Sequence, residues 1–354
     1  MEKNKIRISD IAEKAGVSEG TVDRVIHNRA EVSKKTRTRV LKIIDELNYK
    51  PNIFARTLAK GKSFVISVIL PLPEGHDFYW QEPLIGVKKA IMNLSAYNVE
   101  LKEFLFHQFD KKHFNSKAEE LLKIKPDAVL LAPILYNQSQ IFINKLEDAG
   151  IPYSFIDSDL KPSKRINYTG QDSFQSGRVA ADLINYSFNK GLILIINNAF
   201  DLKNFTNLRL RVSGFKSYFS EKEKGSNVIN IEIHAKTDKD YFKTLKEIFN
   251  KYKDVKAVFA ADSKIYRIAE YIEKESRSDI ILVGFDLIKR NIEFLEKGLI
   301  RFLITQNPYR QGYNGVMSIF MHSVLKEEIE EINYLPIDII TKNNYLYYKD
   351  PNLL

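Results

Sequence analysis

Four polar residues each follow directly on a short apolar run: Asp157 after YSFI, Asp262 after AVFAA, Asp286 after ILVGF and Gln306 after FLIT. Where such runs are parallel strands, the residues at their carboxyl ends face the ligand crevice of an open α/β sheet. Three carboxylates and one amide there offer hydrogen-bonding chemistry to a polar ligand, although a strand-end aspartate is commonly a turn or helix cap. Tyr79 and Trp80 are a second candidate pair, because the segment PLPEGHDFYWQEP around them is polar and rich in turn formers, which suits core poorly. Bond-breaking chemistry lacks its signatures. The chain has no phosphate-cradling GxxxxGK[ST], no GxGxxG after a strand, no GxSxG and no HExxH. It has no cysteine, which excludes disulfides, thiolate catalysis and cysteine-ligated zinc. Its six histidines are scattered, and the nearest pair, His107 and His113, is spaced unlike a metal site. No catalytic residue, cofactor or metal is expected.

A framework must position these groups, and beyond Gly61 apolar runs alternate with amphipathic segments. Candidate strands cover 64–70, 99–106, 128–132, 153–156, 192–197, 228–233, 257–261, 280–285 and 302–305. This alternation predicts parallel sheets covered by helices on both faces, and nine strands suit two open sheets better than one barrel. At 354 residues the chain exceeds what one core supports, since cores stop growing near ~250–300 residues. Hydrophobic residues at 44% and charged residues at 28% exclude a disordered or collagenous chain. No apolar run reaches the ~18–20 residues of a membrane span. The first residues, MEKNKIRISD, lack the apolar stretch of an export signal, so a cytoplasmic protein is expected.

Charge sets the N-terminus apart. Residues 1–62 hold 15 Lys and Arg against 8 Asp and Glu, which leaves 39 against 37 for the other 292. A basic segment on a nearly neutral body is the footprint of a nucleic-acid-binding headpiece. Ile8, Ile11, Ala12 and Ala15 recur at helical spacing and stop at Gly16, a residue suited to a left-handed turn. Ser18 then caps a second helix faced by Val22, Val25 and Ile26, and Ser33 caps a third in which Val40, Leu41, Ile44 and Leu47 point one way. This is a helix-turn-helix, whose second helix enters the major groove and presents Glu19, Gly20, Thr21, Asp23, Arg24 and His27. Arg24 is the candidate base reader, because arginine can bond guanine O6 and N7 at once.

Residues 8–63 closely resemble the DNA-binding headpiece of the lactose/galactose repressor (LacI) family, through AGVS, TV-x-RV, VS-x-x-TR-x-RV and NY-x-PN-x-x-AR-x-L. The resemblance implies a homodimer on a pseudo-palindromic operator of double-stranded DNA, with the segment after Pro51 folding into a hinge helix. Residues 52–59 are too few for a stable isolated helix, so its ordering depends on DNA. Thr21, Arg24, Asn52 and Ala55 fall on DNA-contacting positions of the family, and Leu58 on the leucine that wedges into the central minor-groove step. Ser18, His27, Asn28 and Ser33 complete the expected DNA-binding set. Asp23 departs from the family, most of which has a serine there. A carboxylate repels phosphate, so it is expected to pair with a neighbouring cation or to read cytosine N4.

The body resembles the type I periplasmic binding-protein fold over most of residues 64–348, most clearly at IPYSFIDSD, RLRVSGF, VFAADS, ILVGFD and ITQNPYRQGY. The expected fold class is thus an N-terminal all-α helix-turn-helix headpiece plus two doubly wound parallel-sheet α/β lobes. Expected domains are a headpiece over 1–50, hinge helix and linker over 51–62, and an effector-binding and dimerisation domain over 63–354. Its first lobe takes 63–168 plus 300–330 and its second 169–299 plus 331–354. By resemblance to sugar-binding members, Asp157, Asp262, Asp286 and Gln306 contact hydroxyls, Arg211 donates to ring or hydroxyl oxygens, Tyr79 and Trp80 stack on a sugar face, and Asp77 adds a polar contact. Three aspartates beside one arginine would repel an anion, so the expected effector is a neutral sugar or polyol, a conclusion that a further cation in the cleft would weaken. The implied function is a transcriptional regulator, by family default a repressor, whose operator affinity that effector controls. The alternatives are a stand-alone solute-binding protein, which the headpiece argues against, and a purine-responsive regulator. A glycosidase would also use paired carboxylates, but these positions resemble the contacts of a non-catalytic family.

Overall fold

The computed structural model describes residues 8–26, 29, 31–47, 63–74, 79–187, 191–197, 205–221, 227–235 and 237–348. The chain divides into two compact units, Met1–Gly61 and Lys62–Leu354.

In the first unit, α1 (Ile8–Ala15), α2 (Glu19–Ile26) and α3 (Lys34–Glu46) enclose one small core. Ile11, Ala12, Ala15, Val22, Val25, Val40 and Ile43 are buried in it. Gly16 makes the turn after α1 at φ 60°, a left-handed conformation that costs a residue with a Cβ about 1–2 kcal/mol. The Ser18 hydroxyl accepts from the Thr21 N–H at 3.3 Å, and the Ser33 hydroxyl from the Thr36 N–H at 3.2 Å, which caps α2 and α3. One face differs from expectation. Leu41 is 48% exposed and Ile43 is buried in its stead, because a stripe begun at Val40 continues through i+3, i+4 and i+7, which are Ile43, Ile44 and Leu47.

The second unit contains two six-stranded sheets. The first is built from β1 (Phe64–Pro71), β2 (Val99–Phe106), β3 (Ala128–Leu131), β4 (Tyr153–Ile156), β5 (Tyr168–Gly170) and β11 (Ile332–Tyr334), and the second from β6 (Leu192–Asn197), β7 (Asn227–Glu232), β8 (Val255–Ala260), β9 (Ile281–Phe285), β10 (Ile300–Thr305) and β12 (Asp338–Ile340). Their orders are β11-β5-β4-β3-β1-β2 and β12-β10-β9-β8-β6-β7, parallel throughout except where β12 meets β10. Both central patterns are doubly wound, with strand order reversing beside β1 and β6, where ligand crevices form. Strands covered on both faces read as unbroken apolar runs, as AVLL does in β3.

The helices are α4 (Gln81–Asn93), α5 (Lys111–Ile124), α6 (Tyr136–Asp148), α7 (Ser173–Ser187), α8 (Thr206–Glu221), α9 (Asp238–Lys251), α10 (Ile265–Lys274), α11 (Lys289–Glu296) and α12 (Pro308–Phe320). In the first lobe α12 packs on α4, and in the second α8 packs on α7. The second pair crosses so closely that a Cβ on Gly177 would stand 2.0 Å from the Arg211 carbonyl oxygen, and one on Gly214 would stand 1.9 Å from that of Phe174. Two glycines thus seat the turn of α8 that carries Arg211.

The chain passes between the lobes three times: from β5 into α7, from β10 into α12 and from β11 to β12. The buried Gln171 joins all three passages, since its Nε2 donates to the Thr305 carbonyl at 2.7 Å and to the Pro336 carbonyl at 2.9 Å. The lobe boundaries differ from those expected. Residues 300–305 belong to the second lobe, where β10 pairs with β9, while 332–334 belong to the first, where β11 pairs with β5. The expectation kept a strand with the helix that follows it, but pairing partners decide the lobe, and the chain crosses only after Thr305. Among the described residues no helix is long and apolar enough to cross a membrane, and no cluster of three or more His, Asp or Glu is placed to hold a metal ion.

Candidate functional site

On the headpiece, Arg24 is exposed on α2 and Thr21 is half-buried beside it. The Ser18 hydroxyl lies 2.9 Å from that of Thr21, so both are engaged at the start of α2. Ser33 is likewise held by the cap of α3. Asp23 faces a cation: its carboxylate lies 3.5 Å from the Arg29 guanidinium, whose backbone carbonyl accepts from Arg37 at 2.7 Å. The pair is exposed, and such pairs contribute about 0–1 kcal/mol, but it neutralises a carboxylate on the helix meant for DNA. His27, Asn28, Asn52, Ala55 and Leu58 lie outside the described residues.

In the second unit, Tyr79, Trp80, Asp157, Arg211, Asp262, Asp286 and Gln306 all line one cavity of about 90 Å³ between the lobes. Asp77 lies outside the described residues. Asp157 and Asp286 leave β4 and β9 in the left-handed conformation, at φ 65° and 71°. For residues with a Cβ this costs on the order of 1–3 kcal/mol, and such strain gathers at functional sites.

Asp157 is 4% exposed and accepts three hydrogen bonds: from Tyr79 Oη at 2.9 Å, Ser158 Oγ at 3.0 Å and Asn207 Nδ2 at 3.1 Å. Burial raises its carboxyl above the ordinary value, opposed by the charge of Arg211 and the hydrogen bonds from Tyr79 and Ser158. The Tyr79 hydroxyl is pushed well up, first by burial and then by Asp157 and Asp286. Trp80 meets the Tyr79 ring edge-on with centroids 5.1 Å apart. Asp286 accepts from Gln306 Nε2 at 2.9 and 3.1 Å. Asp262 accepts from the Lys264 N–H at 2.8 Å, so it shapes the turn after β8 while lining the cavity.

Arg211 is 2% exposed, with its guanidinium 3.8 Å from the centre of the Phe285 ring. Its Nη1 donates to the Ala261 carbonyl at 2.8 Å. Its Nε and Nη2 are buried and have no hydrogen-bond partner among the described residues. Unfilled donors on a buried cation are costly unless something accepts from them.

Several lining residues escaped the sequence reading. Asn207 bridges the lobes by bonding Asp157, and the signal for it was its place four residues before Arg211 on one helix face. Phe109, three residues past β2, meets Phe205 of the other lobe at 5.8 Å and lies 5.6 Å beneath the Lys264 ammonium. Lys264 itself lines the cavity. The strand-end rule that selected Asp262 also covered Gln108, Phe109 and Lys264. Among the described residues the lining therefore sets Arg211 and Lys264 against three aspartates, so charge alone excludes an anion less firmly than the sequence suggested.

Residues 66–327 match the periplasmic binding protein domain, and residues 7–52 match the lacI family of bacterial regulatory proteins. The chain is 27% identical over 288 residues to the HTH-type transcriptional regulator MalR of Streptococcus pneumoniae serotype 4, which spans 80% of this chain and 84% of that one. It is 29% identical over 215 residues to the sucrose operon repressor of Streptococcus mutans, 61% of this chain and 62% of the repressor. A crystal structure described as a LacI transcriptional regulator from Bacteroides fragilis aligns with a TM-score of 0.75 at 30% identity, covering 81% of this chain and 100% of that one. Three helices, the second and third capped by Ser18 and Ser33, followed by two parallel-sheet lobes enclosing a polar cavity, agree with these matches: the chain belongs to the LacI family of DNA-binding transcriptional regulators.

Proposed function

We propose that the protein is a repressor, acting in the cytoplasm as a homodimer on a pseudo-palindromic operator, whose DNA affinity is set by a neutral sugar or polyol held between the two lobes. The observation that carries this reading is Arg211, a buried guanidinium with two unfilled donors, in one cavity with Asp157, Asp262 and Asp286. A hydroxyl can donate to a carboxylate and accept from a guanidinium at once, and a polyol carries several. Trp80 and Tyr79 supply apolar faces for the C–H side of such a ring. A phosphate would bring up to two negative charges beside three carboxylates, which Arg211 and Lys264 do not fully offset. The sucrose operon repressor among the relatives is consistent with a sugar-linked role.

The same contacts suggest how the ligand acts. Asn207 on Asp157 and Phe205 on Phe109 join lobe to lobe, so a ligand bonded from both sides favours closure. Only differential affinity for the two arrangements can move the equilibrium. On the DNA side, Arg24 is assigned the base contact and Leu58 the minor-groove wedge. The test follows the emission of Trp80, the single tryptophan, 4% exposed, while titrating neutral sugars, polyols and sugar phosphates. The reading expects a saturable change with a neutral sugar and none with its phosphate; saturation by phosphorylated sugars alone would overturn it.

A further inference from the structure

Tyr79 and Asp286 line the cavity around Arg211 and also line a second cavity of about 530 Å³. Small-molecule sites generally enclose about 300–1,000 Å³. By that measure the first cavity, at about 90 Å³, is small and the second is ample. The walls of the second come from both lobes: Glu82 and Tyr309 lie at the starts of α4 and α12, and Ile288, Ile292 and Glu293 lie on or beside α11.

We propose that this second cavity holds the second sugar unit of the effector, so that the effector is a neutral disaccharide with its first unit at Arg211 and its second between α11 and α12. The inference rests on the sugar-effector reading above and narrows it. Tyr309 and Ile292 offer apolar surface for the C–H face of a ring, while Glu82, Glu293 and Asn307 offer hydrogen-bonding groups around its hydroxyls. Charge selects against an anionic unit: Glu82, Asp286, Glu293 and Glu296 line this cavity against Lys289, the one lysine or arginine among the described residues of its wall. Burial raises the carboxyl of the partly buried Glu82 above the ordinary carboxylate value, which readies it to donate to a hydroxyl as well as to accept. Because α11 and α12 belong to different lobes, a unit placed between them adds contacts that exist only when the lobes approach.

The test is calorimetry on the full chain with maltose, sucrose, lactose and xylobiose, each beside its constituent monosaccharides. One disaccharide should bind at least tenfold more tightly than either constituent. Ile292→Trp fills the second cavity from a half-buried position on α11 and should weaken that disaccharide at least tenfold while leaving the monosaccharide within twofold. Glu293→Tyr narrows the same wall from an exposed position and should act in the same direction should Ile292→Trp fold poorly. A monosaccharide binding as tightly as the disaccharide, or disaccharide binding untouched in a folded variant, would overturn the second compartment and leave the sugar-effector reading standing. No binding of either length by the wild type would remove both.

Discussion

Replacing Arg211 with methionine separates a ligand contact from a packing role. Among the described residues the side chain makes one hydrogen bond, to the Ala261 carbonyl, and leaves Nε and Nη2 unfilled while 2% exposed. If two effector hydroxyls accept from those donors, each charge-assisted bond is worth about 1.5–3 kcal/mol. Their loss then amounts to about 3–6 kcal/mol, roughly 150-fold to 25,000-fold in dissociation constant. Stability should fall as well, because methionine can fill the space over Phe285 but cannot replace the charge that opposes the burial of Asp157, and removing one partner of a buried pair costs about 3–5 kcal/mol. Calorimetry with the effector found by the Trp80 titration, together with a thermal melt, reads both quantities. A folded Arg211→Met protein that binds the effector within tenfold of wild type would refute the assignment of Arg211 to the ligand.

Four further outcomes are expected. The raised Asp157 carboxyl contributes stability that is whole below the unfolded value and is lost as pH rises through the folded one; melts against pH should show wild type losing stability from acid to neutral relative to Asp157→Asn, and parallel curves would count against this. Gly177→Ala forces a Cβ against the Arg211 carbonyl oxygen and should lower stability by about 1–3 kcal/mol in a denaturant titration. Gln171→Leu leaves the Thr305 and Pro336 carbonyls without their shared donor, which costs about 1–3 kcal/mol for a buried group, and should shrink the response of DNA affinity to the effector in an anisotropy assay. Leu58→Ser should weaken operator binding at least tenfold while sugar affinity, read by calorimetry, stays within twofold; loss of both would refute the division of labour.

The architecture was legible where local pattern and tertiary role coincide. Strands buried on both faces print as apolar runs, so β1, β3, β4, β6 and β8 to β10 could be read directly, the edge strands β2 and β7 showed as mixed runs between helical segments, and Gly16, Ser18 and Ser33 marked the helix ends. β5, β11 and β12 have three residues each, too short for any periodicity to register. The lobe of β10 was misplaced because a strand's partner is a long-range fact: nothing within IRFLIT says that it pairs with β9. In α3 the pattern of apolar residues admitted both Leu41 and Ile43, and only the stripe from Val40 separates them. The cavity lining follows the same division. Strand ends announce Asp157, Asp262 and Asp286, and extend to Phe109 and Lys264 a few residues beyond, whereas the bond of Asn207 to Asp157 owes its place to the meeting of two lobes. The pairing of Asp23 with Arg29 lies between these cases, since a cation six residues on was visible but its approach was not.

The central claim is that a ligand bound at Arg211 changes affinity for DNA, and it is tested by measuring that affinity directly. Duplexes selected from a random pool by the full chain would be labelled, and their dissociation constants determined by fluorescence anisotropy with and without saturating effector. Couplings of this kind run to about 5–150-fold. The account predicts a change of at least fivefold for wild type and none for Arg211→Met at the same effector concentration. Equal DNA affinity for wild type with and without the bound effector would contradict it.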